Sequence, residues 1–66
     1  MKVYLVNAYA YPYSICSSLE KAREMAKNLA EEEQIEDGWP EAKDICNIFE
    51  VSLDTPIYRD SREVTE

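Results

Sequence analysis

The chain has 66 residues, enough for one domain with a thin core, since a chain of this size buries only about 60% of the surface its unfolded form exposes. Its 45% hydrophobic content allows collapse, while 14 acidic against 7 basic residues give a net charge of −7, a field that disfavours direct nucleic-acid binding and favours a basic protein partner. With no histidine and one glycine, the commonest general base, the commonest transition-metal ligand and the glycine-rich phosphate loops are all missing, so the expectation is a non-enzymatic protein without cofactor or metal.

Residues 2–10 are rich in Val, Tyr and Leu and predict a strand. The apolar block Val3-Tyr4-Leu5-Val6 is shorter than the roughly 7–15 residues that a secretory signal needs, and no segment is long enough to span a bilayer. The stretch AYAYPYS, Ala8 to Ser14, then sets Tyr9, Tyr11 and Tyr13 at a spacing of two, which on an extended chain points three rings to one face. Pro12 cannot donate to a ladder and favours a reversal over Tyr11-Pro12-Tyr13-Ser14, with Ser14-Ile15-Cys16 as a short return strand. The alternative is a plain loop from strand to helix.

Ser17 and Glu20 have the spacing of a capping box and predict a helix of about 17 residues. Leu19, Ala22, Met25, Ala26 and Leu29 form one apolar stripe, with Glu20, Arg23, Glu24, Lys27 and Glu31 opposite and able to pair along the helix. Asp37-Gly38 breaks the chain, and Pro40 to Asp44 allow at most one helical turn. Ile45, Asn47, Phe49, Val51 and Leu53 share one parity of a second long strand, ended by Asp54-Thr55-Pro56. The helix stripe is therefore expected to face Val3, Leu5, Phe49 and Val51.

The elements predict an α+β fold: a ββαβ domain over residues 1–58, with a three-stranded, mainly antiparallel sheet in the order 2-1-3 and one helix on one face. Residues 59–66 carry mixed charge without period and are expected to fray. In that order Cys16 and Cys46 lie on opposite outer strands, about 10 Å apart and too far to bridge. Two unbridged cysteines in strand patterns suit buried, inert thiols and a reducing, cytoplasmic setting.

Two features can carry function. Glu31, Glu32, Glu33, Glu36, Asp37, Glu41 and Asp44 place half of the acidic residues within fourteen positions, with Lys43 the one base among them. Three glutamates at a helix C-terminus oppose the macrodipole at about 0.3–1 kcal/mol each at low salt. The tract reads either as a solubilising end or as a docking surface that competes with DNA or RNA for a basic groove, since duplex DNA presents about one charge per 1.7 Å. Tyr9, Tyr11 and Tyr13 read either as core edge or as a contact surface of large rings with hydroxyl handles. The carboxylate-rich EEEQIEDG lacks the ligand spacing of a calcium loop, and Trp39 reads as a plug at one end of the core.

The opening MKVYLV, the aromatic hairpin and the helix start SSLEKA resemble the short reading frames common in phage and mobile-element genomes. Small size, acidity and missing catalytic groups are similar in type to anti-CRISPR and other anti-defence inhibitors, several of which act as nucleic-acid mimics. The resemblance implies a nucleic-acid-handling host complex as target, in the host cytoplasm, and assigns no residue roles. A second reading is a small regulatory or structural module that forms a homodimer or joins a larger complex through its sheet face or tyrosine row.

Overall fold

In the computed structural model, which describes residues 1–65, the β-branched and aromatic runs form an antiparallel sheet and the alanine-rich segment forms the single helix. The elements are β1 (Lys2–Ala8), β2 (Tyr11–Cys16), α1 (Leu19–Glu32), β3 (Cys46–Ser52) and β4 (Ser61–Val64), with sheet order β2-β1-β3-β4. The α+β class and the 2-1-3 arrangement are as expected. The fourth strand is not, because Ser61–Val64 pairs along β3, with Val64 opposite Ile48 and 7% exposed. Half of the tail expected to fray, four of residues 59–66, is thus sheet, held by one buried valine in a sequence too charged to show a period. Glu66, the end of that predicted tail, lies outside the described residues.

The β1–β2 hairpin turns on Tyr9 and Ala10, both at positive φ (53° and 70°), with Ala8 paired directly to Tyr11. This is the two-residue primed turn whose twist matches the strands, made here without glycine. The reversal comes three residues earlier than Tyr11-Pro12-Tyr13-Ser14, and Pro12 lies inside β2. It is tolerated there because β2 is an edge strand and because the pairing shifts at this point, Val6 opposite Ser14 but Asn7 opposite Pro12, which leaves Tyr13 as the extra residue of a bulge.

Helix α1 begins one residue later than expected. Ser18, not Ser17, is the cap, and its side chain accepts from the Lys21 amide at 3.2 Å. Lys21 stands where a glutamate would complete a capping box, so the cap is one-sided. At the other end Gln34 takes the left-handed conformation (φ 54°), Ile35 donates to the Ala30 carbonyl at 2.9 Å and Gln34 to that of Glu31 at 3.3 Å. This double bond pattern is the glycine-type helix stop and limits α1 to 14 residues.

The core forms where small helix residues meet the sheet. Ala22, Ala26 and Leu29 cover Val6 and Ile48, a directly opposed pair at 0% exposure, and Cys16, Cys46 and Val64 surround them. Tyr4, Ala8, Leu19, Met25 and Trp39 pack at the margin, so the expected helix stripe is the buried one. Its partner is the other side of the sheet. Val3, Leu5, Phe49 and Val51 alternate with the core residues and lie on the face away from α1, outside the core cluster. Both faces of β1 and β3 are apolar, so alternation identifies the strands without telling which side is covered. The charge on the helix-side parity, Glu50, is accommodated at the edge of the core by the Tyr4 hydroxyl at 3.2 Å, Arg62 at 3.5 Å and Lys2 at 3.8 Å.

A non-glycine residue in the left-handed region carries a penalty on the order of 1 kcal/mol. Gln34→Gly should therefore raise stability by about 0.5–1 kcal/mol and the thermal midpoint by a few degrees. A lowered midpoint in a calorimetric scan would mean that α1 does not stop in this way.

Candidate functional site

Three segments meet at one end of the molecule: the β1–β2 turn, the C-terminus of α1 and the connection over residues 33–45. The contacts are specific. The Tyr9 amide donates to the Ile45 carbonyl at 2.7 Å, and the Tyr13 hydroxyl donates to Glu32 at 3.1 Å. The turn residue with the strained backbone is thus tied to the connection, and β2 is tied to the helix.

The connection is ordered by its apolar residues. Ile35 and Trp39 are half-buried, and the Trp39 indole donates to the Val64 carbonyl at 3.3 Å while the Arg23 guanidinium lies 5.7 Å from its ring centre. Trp39 therefore links helix, connection and β4, which is the plug the sequence suggests. Gly38 packs tightly on α1, since a Cβ there would sit 3.0 Å from that of Ala30. Amides of Ala42, Ile45 and Cys46 close turns onto the carbonyls of Gly38 and Ala42, and the Asn47 side chain donates to the Lys43 carbonyl at 3.2 Å.

On this frame all seven carboxylates of the tract, Glu31, Glu32, Glu33, Glu36, Asp37, Glu41 and Asp44, are exposed. Among the described residues the ion pairs involve only Lys2, Glu50, Asp60 and Arg62, so none of the seven is paired. The pairing expected along α1 is absent from that set, and Arg23 lies over Trp39 instead. No base stands in the last helical turn to balance Glu31 and Glu32. The end is an uncompensated negative surface on a folded support.

The tyrosines do not form the row expected from their spacing. Tyr9 lies in the turn and is 52% exposed, Tyr11 is 75% exposed on β2, and Tyr13 at the bulge is 37% exposed and bonded to Glu32. The period of two is broken twice, by the turn at Tyr9-Ala10 and by the bulge. What the structure brings together is Tyr13 with the acidic helix end. Partial desolvation, the bond to Glu32 and the charges of Glu32 and Glu33 push the Tyr13 phenol above its ordinary value.

The rest of the molecule offers little reactive chemistry. Cys16 and Cys46 are both buried and free, opposite Tyr4 and Ala8 on the two flanks of β1. Four residues of offset add roughly 13 Å along the strand to the two strand spacings between them, so they cannot bridge. Burial pushes the Cys46 thiol up, towards the unreactive form. A groove of about 560 Å³ runs between β2 and α1, with Lys21 and Glu24 on its wall and Cys16 at its side. Among the described residues no three carboxylates or thiols come together as a metal site, despite the adjacent glutamates, and no helix is long and apolar enough to cross a membrane. No family model, curated protein or solved structure matches the chain.

The expectation allowed an interface on the sheet face but placed Leu5 and Phe49 under the helix. The sheet face carrying Leu5 and Phe49 has no helix over it, and the only signal for it was that the second parity of β1 and β3 is apolar too.

The phenols of Tyr4 and Tyr13 are both held above the ordinary tyrosine value, so part of the phenolate absorbance should emerge above about pH 10. Because the folded chain keeps these protons more tightly than the unfolded one, their contribution to stability is complete below the unfolded value and is lost as pH rises through the folded one. Tyr13→Phe should remove one late-ionising group in a spectrophotometric titration and lessen the alkaline loss of stability. Loss of an ordinary phenol with the late component intact would contradict the Tyr13–Glu32 contact.

Proposed function

We propose that this is a non-enzymatic binding protein that docks its acidic end in the basic groove of a nucleic-acid-handling protein, in the manner of small phage-type anti-defence inhibitors that stand in for nucleic acid. One observation carries the reading: seven exposed carboxylates, unpaired among the described residues, at the end of α1 and on a connection ordered by Trp39, Gly38 and backbone bonds. A merely solubilising surface has no need of that order. A docking surface gains from it, because a pre-ordered set of charges loses less conformational freedom on binding.

The aromatic residues give the same end a second kind of contact. Tyr9 and Tyr11 are exposed beside the carboxylates, and large rigid rings with a hydroxyl handle contribute contact area at small entropic cost. The division of labour follows from range. Carboxylates act over a Debye length, about 10 Å at 0.1 M salt and 3 Å at 1 M, and so speed the encounter. The tyrosines act only in contact and so slow departure.

The test is capture from a nuclease-treated bacterial lysate with immobilised protein, followed by kinetics on whatever is retained. Retained proteins should be basic, should be eluted by salt and should be released by duplex DNA. Reversing charge at Glu32, Glu36 and Asp37 together should lower the association rate about ten-fold or more at low salt and flatten its salt dependence, while the thermal midpoint stays level or rises because Glu32 opposes the helix dipole. Tyr11→Ala should mainly raise the dissociation rate. Unaltered association kinetics for the triple variant across the salt range would reduce the tract to a solubilising surface.

A further inference from the structure

The open sheet face is the largest feature that the acidic end does not use. Register and alternation define it row by row. Ile15, Leu5 and Phe49 lie side by side with Glu63 at the margin, and Val3 and Val51 form the next row with Ser61. Beyond them the Leu53 amide continues the ladder to the Met1 carbonyl at 2.9 Å, which puts those two side chains on the same face. At the opposite end the Asn7 side-chain amide donates to the Asn47 Oδ1 at 2.8 Å. Exposure is largest around the edge of the face, at Met1 (91%), Ile15 (71%) and Leu53 (47%), while Val3, Leu5 and Phe49 are half-buried and Val51 is 8% exposed. The only phenylalanine of the chain is here, whereas the largest fully buried side chains are Leu29, Ile48, Val6 and Cys46.

We propose that this face is a homodimer interface, with two copies packed sheet on sheet about a two-fold axis near Leu5 and Phe49. Charge points to a second copy as the occupant. The face carries one carboxylate, at its margin, in a chain of net charge −7, so it presents no field that would select a basic partner and little that would repel its own copy. With the sheets in contact the helices lie on the two outer sides, away from the shared face. Shape agrees. A bulky row (Ile15, Leu5, Phe49) lies next to a small one (Val3, Val51), so a two-fold axis offset by one row seats each copy's large side chains over the other's small ones, as in packed sheets about 10 Å apart.

The edges leave few other modes of self-association. β2 carries Pro12 and a bulge, and β4 is four residues long with Arg62 and Glu63 in it, both devices that discourage edge-to-edge pairing. Area sets the strength. Strands of seven, six, seven and four residues, about 4.8 Å apart, offer roughly 400 Å² per copy, or about 800 Å² for the pair. That is below the standard interface of about 1,200–2,000 Å² and fits a reversible dimer with a micromolar dissociation constant.

Sedimentation velocity from about 1 µM to 1 mM tests this. The wild-type chain should pass from monomer to dimer over that range. Ile15→Glu, at a side chain with no place in the core cluster, should remain monomeric throughout with an unchanged helical circular dichroism signal, and Tyr11→Glu should dimerise like wild type. Isotope-filtered NOEs in a mixed-label wild-type sample, which need no variant, should link Phe49 of one copy to Val3 or Val51 of the other. A wild-type chain monomeric to 1 mM, an Ile15→Glu variant that dimerises undiminished, a Tyr11→Glu variant that does not dimerise, or a dimer without those NOEs would each overturn the proposal.

Discussion

The contact of Ala22 and Ala26 with the opposed pair Val6 and Ile48 decides what the rest of the molecule presents to its surroundings. A helix of 14 residues is about 21 Å long and covers one face of a sheet whose long strands are about 23 Å. Alanine lets the helix lie close, and close packing is where dispersion and burial contribute most. Once that face is inside, the other parity of β1 and β3 is turned away from the helix whatever its polarity, and of its apolar residues only Val51 is still buried. Among the described residues no second helix covers that side.

The same packing determines where the charge goes. A helix running from Ser18 over the sheet ends beside the β1–β2 turn, and the chain must then return to β3 through residues 33–45. Trp39 fills the gap between that connection and β4, and the tract's carboxylates are left on the outside. Three of the seven bases are engaged elsewhere: Lys2 at Glu50 and Asp60, Arg62 at Glu50, and Arg23 on Trp39. Acidic end, tyrosine turn and open apolar face are thus three consequences of how one helix was seated.

Much of this was legible in the residues. The apolar stripe from Leu19 to Leu29 is strong periodicity and gave the right buried side of α1, and the strand character of residues 2–8 and 46–52 was clear from β-branched and aromatic content. The covered face of the sheet was not legible, because Val3, Leu5, Phe49 and Val51 look more core-like than Tyr4, Val6, Ile48 and Glu50, and the choice is made by helix packing rather than by hydrophobicity. The turn at Tyr9-Ala10 was hidden because neither residue is a glycine and Pro12 offered a conventional reversal nearby. β4 was hidden because Val64 alone carries it in a charged segment. Of the candidate site, the carboxylates were legible as a tract, but their meeting with Tyr13 depends on the bulge, which no local signal marks.

The seating of α1 can be read directly by NOESY on methyl-labelled protein at a concentration low enough to keep it monomeric. Cross-peaks from the Ala22 and Ala26 methyls to those of Val6 and Ile48, with none to the Phe49 ring or the Leu5 methyls, are the result this account predicts. Cross-peaks from either alanine to Phe49 would put the opposite face of the sheet inside and contradict it.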